Sequence, residues 1–485
     1  MIEDLVSIHD KFSVEIKLGF IAPGKRDISD FAVNTWIFIP DSLDVNRETY
    51  DKSDFYRDLK SNIRLITPAF LLRDIAESKN APFSLIERSF RELASTPTQT
   101  YISAYEYHIR MFVSIVKSAL RAEIKHILNN GIAGDVEFLV NSYIEHIGRI
   151  GENYRSLSRI INVPSINKGL LNYYLFGDEF LSNLIEQHSF KLLEGIGNTM
   201  DLSNLTRDRL LKLITAEVEY KRKKGHPVVE KDSPNHNRDL VFRLTLLKKY
   251  AENELFLNTR KRRDGILIEQ VYLSIAAGIS MIFATVIAFS FQQKFGNLTM
   301  PFFVAIIVGY MLKDRIKELL RYYYAHRLSR RFFDHRTDVS LSGNKIGWSK
   351  ESMDFIPESR VPSEIIRIRN RSDILEAENR NNREKIILYR RLIRLNRKDL
   401  DECSEYPVRG INDVIRFNVS HFIQKMDNPL IPLYIPDHES GIKIVTGEKM
   451  YYINLLFQFR SEGKTDYKRY RIVLNREGIR EIEKF

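Results

Sequence analysis

Hydrophobic and polar positions alternate from Phe12 to Phe20, with Phe12, Val14, Ile16, Leu18 and Phe20 on one face and Ser13, Glu15, Lys17 and Gly19 on the other. A period of two predicts a half-buried strand. After the Ala22-Pro23-Gly24-Lys25 turn signal, Val33–Pro40 predicts a second strand, and the two together a β-hairpin. From Tyr50 to about Asp264 the pattern becomes helical. Its long segments are Tyr101–Asn129, Val136–Ile161, Gly169–Leu193 and Leu205–Lys224, with breaks at Asn129–Gly134, Pro164 and Gly195–Gly197. Gly225–His236 reads as a polar loop, and Leu240–Asn258 as a helix that runs almost directly into an apolar segment.

That segment is the most apolar part of the chain. Gln270–Gln293 is 24 residues without a charge, and a helix of that length covers the roughly 30 Å of a bilayer's hydrocarbon core. Phe295–Leu312 adds 18 more uncharged residues, of which only the 13 from Met300 are strictly apolar. Asn297 or Thr299 can cap this second helix, and Pro301 suits its first turn. The same helix continues as an amphipathic, basic stretch to Phe333. Thr337–Asn382 reads as a polar linker, Lys385–Asn396 as strand or helix, and Lys449–Arg460 with Arg469–Asn475 as a hairpin joined by a longer loop. A short helix, Arg476–Lys484, is expected to end the pattern.

Charge changes the picture of the apolar stretch. The chain carries a net +11, but Lys221–Gln270 holds +6 of it and Lys313–Arg336 another +5, counted on the sequence. The excess therefore flanks the apolar segments instead of covering a folded face, which points to a membrane surface and away from a nucleic-acid partner. Arg260, Lys261, Arg262 and Arg263 precede the first span. Lys313, Arg315, Lys317 and Arg321 open the stretch after the second, with Arg327, Arg330 and Arg331 beyond. The loop between holds Lys294 alone. By the positive-inside rule both flanks face the cytoplasm, with Tyr272 and Tyr310 at the inner interface. Small residues recur at Ala276, Ser280, Ala284 and Ala288, and again at Ala305 and Gly309, a spacing that lets helices approach closely. This stripe can pack the two helices on each other or join copies of the chain. No ionisable residue lies inside either span, so a proton relay has no group to use.

Candidate chemistry is sparse. The one cysteine, Cys403, excludes a disulfide framework and fits a reducing compartment. Phosphate-cradling, HExxH and GxSxG patterns are absent from the sequence. Gly195-Ile-Gly197 reads as a helix break, and His226 and His236 as solvated loop residues. The strongest enzyme candidate is Glu15-Ile16-Lys17 with Asp10 upstream, the order in which metal-dependent nucleases present a carboxylate and a water-activating lysine. A solvated strand face carries the same residues, so no catalytic or metal-binding residue and no cofactor is assigned. The N-terminal segment has no apolar core behind a basic start, and no cleaved signal peptide is expected.

The sequence thus predicts an α+β integral membrane protein. Residues 1–264 would form a mostly helical N-terminal cytoplasmic domain that opens with the β-hairpin. Residues 265–316 would form a central two-helix transmembrane hairpin with spans at about 270–292 and 297–314. Residues 317–382 would be a juxtamembrane helix and polar linker, and 383–485 a small α+β C-terminal cytoplasmic domain. Both termini are expected in the cytoplasm, with a bacterial inner membrane as the default. The expected partners are a bilayer with anionic headgroups, an unidentified cytosolic protein and, through the hairpin, further copies of the chain. The leading expectation is a membrane-anchored scaffold, sensor or effector without identifiable catalytic machinery. Two other classes stay open: a membrane-tethered metal-dependent nuclease or hydrolase with a dispersed site, and an oligomeric pore-forming or membrane-disrupting effector.

Overall fold

The computed structural model describes all residues except 25, 78–80, 131–132, 164–165, 198–203, 297–298, 329–331, 373–383 and 438–440. Helix and sheet are mixed, at 52% and 29% of the chain. In order, the chain forms β1 (Ile2–Asp10), β2 (Ser13–Ile21), β3 (Ile28–Ile39), α1 (Lys52–Asp58), β4 (Leu59–Leu65), α2 (Leu72–Ala76), α3 (Phe83–Ser95), α4 (Gln99–Asn129), α5 (Ala133–Ser156), α6 (Ser158–Ile161), α7 (Lys168–Gly197), α8 (Asn204–Lys224) and α9 (Pro234–Glu252). Then come β5 (Asn258–Arg263), α10 (Ile266–Phe295), α11 (Met300–Leu328), β6 (His335–Leu341), β7 (Asn344–Ile356), α12 (Ser363–Arg369), β8 (Lys385–Asn396), β9 (Gly410–Asn418), β10 (Leu430–Asp437), β11 (Gly441–Glu448), β12 (Tyr451–Ser461), β13 (Lys464–Asn475) and β14 (Gly478–Lys484).

Two compact units result. One comprises Met1–Asn62, Asn258–Asp399 and Asp413–Phe485, the other Ile63–Leu257 with Leu400–Asn412. The first is built on an eight-stranded sheet of order β14-β13-β12-β3-β8-β7-β6-β5 and a four-stranded sheet of order β1-β2-β9-β4. Alternation places Ile16 and Leu18 of β2 against Val33 and Ile37 of β3 and Leu455 and Phe457 of β12, with Phe417 of β9 among them. On the opposite face of the large sheet Trp36, Phe38, Ile386 and Leu456 pack with Ile365 of α12. In the second unit α4 buries Tyr105, Ile109, Phe112, Val116 and Leu120, a helical spacing. Its Tyr105 and Phe112 rings meet Phe90 and Tyr154.

Several sequence expectations need correction. The first hairpin is β1 with β2, while β3 leaves for the other sheet and pairs β8 and β12. Residues 337–372 are not a linker: β6 and β7 pair through the Ser342-Gly343 turn, and α12 comes next; residues 373–383 of that segment lie outside the described residues. The segment after Asn475 is the strand β14, not a helix, because Ile479 and Ile482 face β13 across the Arg476-Glu477 turn. β12 and β13 join through two residues, Glu462-Gly463, both with positive φ, a tighter turn than expected. Finally, α9 stops at Glu252, and β5 stands between it and α10.

The helical pair is an insertion between two neighbouring edge strands. β5 and β6 form an antiparallel ladder, Arg263 opposite His335; α10 and α11 leave and return through it. A Cβ on Gly309 of α11 would sit 3.5 Å from Ile287 of α10, which fixes the level of one helix against the other. Among the described residues only α10 is long and apolar enough to cross a membrane. The apolar run of α11 ends at Leu312, and at that alignment Lys313 lies level with about Phe283. The layer apolar on both helices is therefore about 20 Å thick at 1.5 Å per residue. The expected pair of matched spans thus reduces, among the described residues, to one helix of full span length, and Tyr310 sits about 20 Å above the level of Tyr272.

Candidate functional site

A cavity of about 680 Å³ opens at the base of the helical pair, within the first unit. Helix α1 supplies Lys52, Tyr56 and Arg57. Its start is set by a capping box in which Asp54 N–H donates to Asp51 Oδ1 at 2.9 Å and Asp51 N–H to Asp54 Oδ2 at 3.2 Å. The turn into α10 supplies Arg263, Asp264 and Gly265, and the first turns of α10 Glu269, Tyr272 and Leu273. Arg321 enters from α11 and Phe332–His335 from the return to β6. Gly265 has φ +75°, and a Cβ there would meet the Phe332 ring at 2.9 Å, so the ring closes over a position only glycine satisfies.

Asp334 organises the cavity wall. Lys52 Nζ (2.7 Å), the Tyr56 hydroxyl (2.9 Å) and the Met353 N–H (2.8 Å) all donate to it. Burial, then the Asp334 charge, pushes the Tyr56 phenol well above its ordinary value. His335 packs edge-on against Tyr56 at 4.5 Å; burial and then Lys261 hold its imidazole below the usual range, so it is neutral at pH 7. Behind the wall, Glu351 accepts from Tyr389 at 2.7 Å and pairs with Lys261 at 2.6 Å. Burial raises this carboxyl, but Arg391 and Lys261 outweigh it and keep it ionised. Deeper still, Arg391 pairs with Asp413 and donates to Ser61 at 2.9 Å. Burial outweighs Arg391 and leaves the Asp413 carboxyl above its normal value.

In contrast to this anchored wall, three arginines at the rim are largely exposed, although Arg57 also lies 3.8 Å from the Asp58 carboxylate. Arg57 pairs with Asp54 at 2.8 Å, Arg263 with Glu269 at 3.2 Å and Arg321 with Glu318 at 3.0 Å. Their side chains are 64%, 67% and 45% exposed, and such pairs contribute about 0–1 kcal/mol. Cationic rim, aromatic lining and a leucine suit the cavity to recognising an anion attached to an apolar body.

Of the basic residues marked in the sequence, Arg263 and Arg321 thus line this cavity. Lys261 turns inward to Glu351, Arg262 pairs with Asp338 at 3.1 Å, and Arg260 is exposed on the sheet edge. On α11, Lys313 lies over the Tyr310 ring at 4.3 Å, Arg315 is exposed and Lys317 half-buried. Ala276, Ser280, Ala305 and Gly309 are buried, Ala284 and Ala288 half-buried. Glu15 pairs with Lys17 at 2.8 Å and Arg416 at 3.4 Å; burial opposes, but these cations hold its carboxyl below the ordinary value. Asp10 caps the β1–β2 turn at Phe12 N–H, 2.8 Å away. Among the described residues no group of three or more His, Cys, Asp or Glu is placed to hold a metal. His226 is not a freely solvated loop residue: it is half-buried, 3.8 Å from both Asp178 and Glu179. Gly195 lies inside α7, against Leu128 of α4.

The chain matches no protein-family model and no curated protein sequence. Among solved structures it is similar to a de novo designed 16-helix transmembrane nanopore, at 12% identity over 53% of this chain and 93% of that one. The TM-score is 0.17, at which no common fold is defined.

Proposed function

We propose that this chain is a membrane-anchored scaffold or effector that presents both folded units on the cytoplasmic side of a bilayer, with α10 and α11 as the anchor. The observation that carries the reading is the uncovered apolar surface of α10. Of its thirty residues only Ala276 and Ser280 are buried, while Leu267, Ile282 and Phe289 are 82%, 66% and 65% exposed. Thirteen of its large apolar side chains are exposed in all. At about 1.5 kcal/mol for each when covered, the sum exceeds the whole stability of an ordinary domain, about 5–15 kcal/mol. Lipid is the cover that composition and length suit. The β5–β6 ladder supports a same-side topology, since it ties the start of α10 to the end of α11.

The test replaces Cys403 by Ser and introduces one cysteine at Gln293 or at Glu219. Carbonate-washed membranes should retain the protein, and an impermeant maleimide on intact cells should label Gln293→Cys alone. Release by carbonate, or labelling of Glu219→Cys, overturns the reading.

A second reading, an oligomeric pore, draws on the level of the charged half of α11. Lys313, Asp314 and Arg315 lie beside the apolar middle of α10, so in a ring of copies α10 would face lipid and α11 water. Planar-bilayer conductance whose ion selectivity reverses with Arg315→Glu supports this reading; a silent bilayer removes it.

A further inference from the structure

We infer that the cavity at the base of the helical pair is a binding site for an anionic phospholipid, its phosphate held by Arg57, Arg263 and Arg321 and its first acyl carbons against Leu273 and Phe332. The inference rests on the membrane placement proposed above and goes beyond it. A bilayer anchor needs only a diffuse positive surface; a cavity implies one lipid in one place.

The acids of the lining are already used. Asp334 accepts three donors, and Asp264 takes Lys350 at 2.9 Å. Glu269 meets Arg263 across exposed surface. The three arginines come from α1, β5 and α11, elements far apart in sequence, and converge on one space. Arginine clusters of this kind bind phosphate with two parallel hydrogen bonds. An additional anion therefore meets three guanidiniums that are themselves largely exposed, Arg263 and Arg321 paired with exposed carboxylates and Arg57 with the half-buried Asp54 and, at 3.8 Å, Asp58.

Glu269 is the last charged residue before the apolar run of α10, and Tyr272 and Leu273 are its first turn. The cavity thus straddles the polar–apolar boundary where headgroups lie, and basic pockets at that depth recognise anionic lipids. Soluble phosphate shares the anionic chemistry but has no use for Leu273, Tyr272 and Phe332. Gly265 gives the site a specific dependence, since the Phe332 ring occupies the space its missing Cβ leaves.

Native mass spectrometry of the full chain, released from detergent with added lipid, tests the assignment. One phosphatidylglycerol should remain bound, with phosphatidylcholine at least tenfold weaker. Arg57→Gln, Arg263→Gln and Arg321→Gln should each weaken retention about fivefold, and together about 100-fold, without changing carbonate resistance. Gly265→Ala, which displaces Phe332, should weaken both lipids' retention alike. Equal retention of the two lipids, or full retention by the triple variant, overturns the site. Displacement of the lipid by glycerol phosphate or inorganic phosphate at equal concentration overturns the lipid assignment in favour of a soluble anion. Loss of carbonate resistance in the unaltered chain overturns the membrane placement instead, a separate readout.

Discussion

Replacing Gly177 by alanine should destabilise the helical unit, although alanine is the better helix former. Gly177 lies inside α7, where alanine in place of glycine ordinarily gains about 1 kcal/mol. Here the new methyl would stand 2.1 Å from the Tyr154 hydroxyl oxygen and 2.8 Å from Ile109 Cγ2. To reach normal contact the ring must withdraw by about 1.2 Å. It has little room, being wholly buried and stacked between Tyr174 at 5.3 Å and Phe112 at 5.8 Å. Its hydroxyl also donates to the Tyr174 carbonyl at 3.1 Å. Overpacking costs about 1–3 kcal/mol and the strained or lost buried hydrogen bond about 1–3; less the helix gain of about 1, the net is about 1–5 kcal/mol unfavourable. Hydrogen exchange of the full chain should then show α4, α5 and α7 amides exchanging about 5- to 5,000-fold faster. Gly148→Ala in α5, whose Cβ would meet nothing within 4 Å, should slow exchange by up to fivefold. Adding Tyr154→Phe to Gly177→Ala should recover part of the loss. Exchange in Gly177→Ala that equals or undercuts the unaltered chain refutes the packing argument.

Acid should weaken the same unit through His188. Its buried imidazole donates to the Leu184 carbonyl at 3.0 Å, and burial lowers its pKa from 6.5 to about 4. The unfolded chain therefore binds more protons between those values. This stability is complete above about pH 6.5 and declines as pH falls, by about 2 kcal/mol at pH 5 and about 3 below pH 4; exchange rates in His188→Leu should lack that slope. Arg391→Met strands the buried Asp413 carboxylate and should cost about 3–5 kcal/mol, most of it recovered in Arg391→Met with Asp413→Leu. Because Asp413 can then protonate, the single variant should lose less at pH 5 than at pH 8 by urea unfolding. Ile282→Lys places a charge on an outward face of α10 and should disfavour insertion by about 3–4 kcal/mol, read as carbonate-extractable protein; Ile282→Leu should behave as the unaltered chain, and equal extraction of all three contradicts a membrane-facing α10.

Local periodicity carried the long helices. Gln99–Asn129, Lys168–Gly197 and Asn204–Lys224 fall within a few residues of their expected bounds, because each buries its own stripe and needs no distant partner to be recognised. Strands behaved differently. Val33–Ile39 reads as a strand from its own pattern, yet its neighbours are residues 385–396 and 454–461, and nothing local states that pairing. The β6–β7 segment carries no clean alternation, because its faces mix Ser, Lys and Glu, and Glu351 points into an ionic core instead of an apolar one. The cavity was legible only in fragments. Arg263 and Arg321 stood out as flanking charge, but Lys52, Tyr56 and Arg57 join them from about two hundred residues upstream, and Asp334 gains its role from donors on other elements.

The pairing of β3 also dictates an order of events during synthesis. Ile28–Ile39 leaves the ribosome roughly 350 residues before β8, a delay of about 17–70 s at ordinary translation rates. In that interval the helical segments 63–257 and then α10 and α11 are completed. On the proposed placement, the anchor meets lipid before the sheet at its base exists. The central strand of the large sheet must wait with both edges unsatisfied, and the sheet closes last, at the membrane, around a hairpin already inserted. A ribosome halted between residues 330 and 385 would leave an anchored chain displaying one bare apolar strand, a substrate for chaperones or for another such chain.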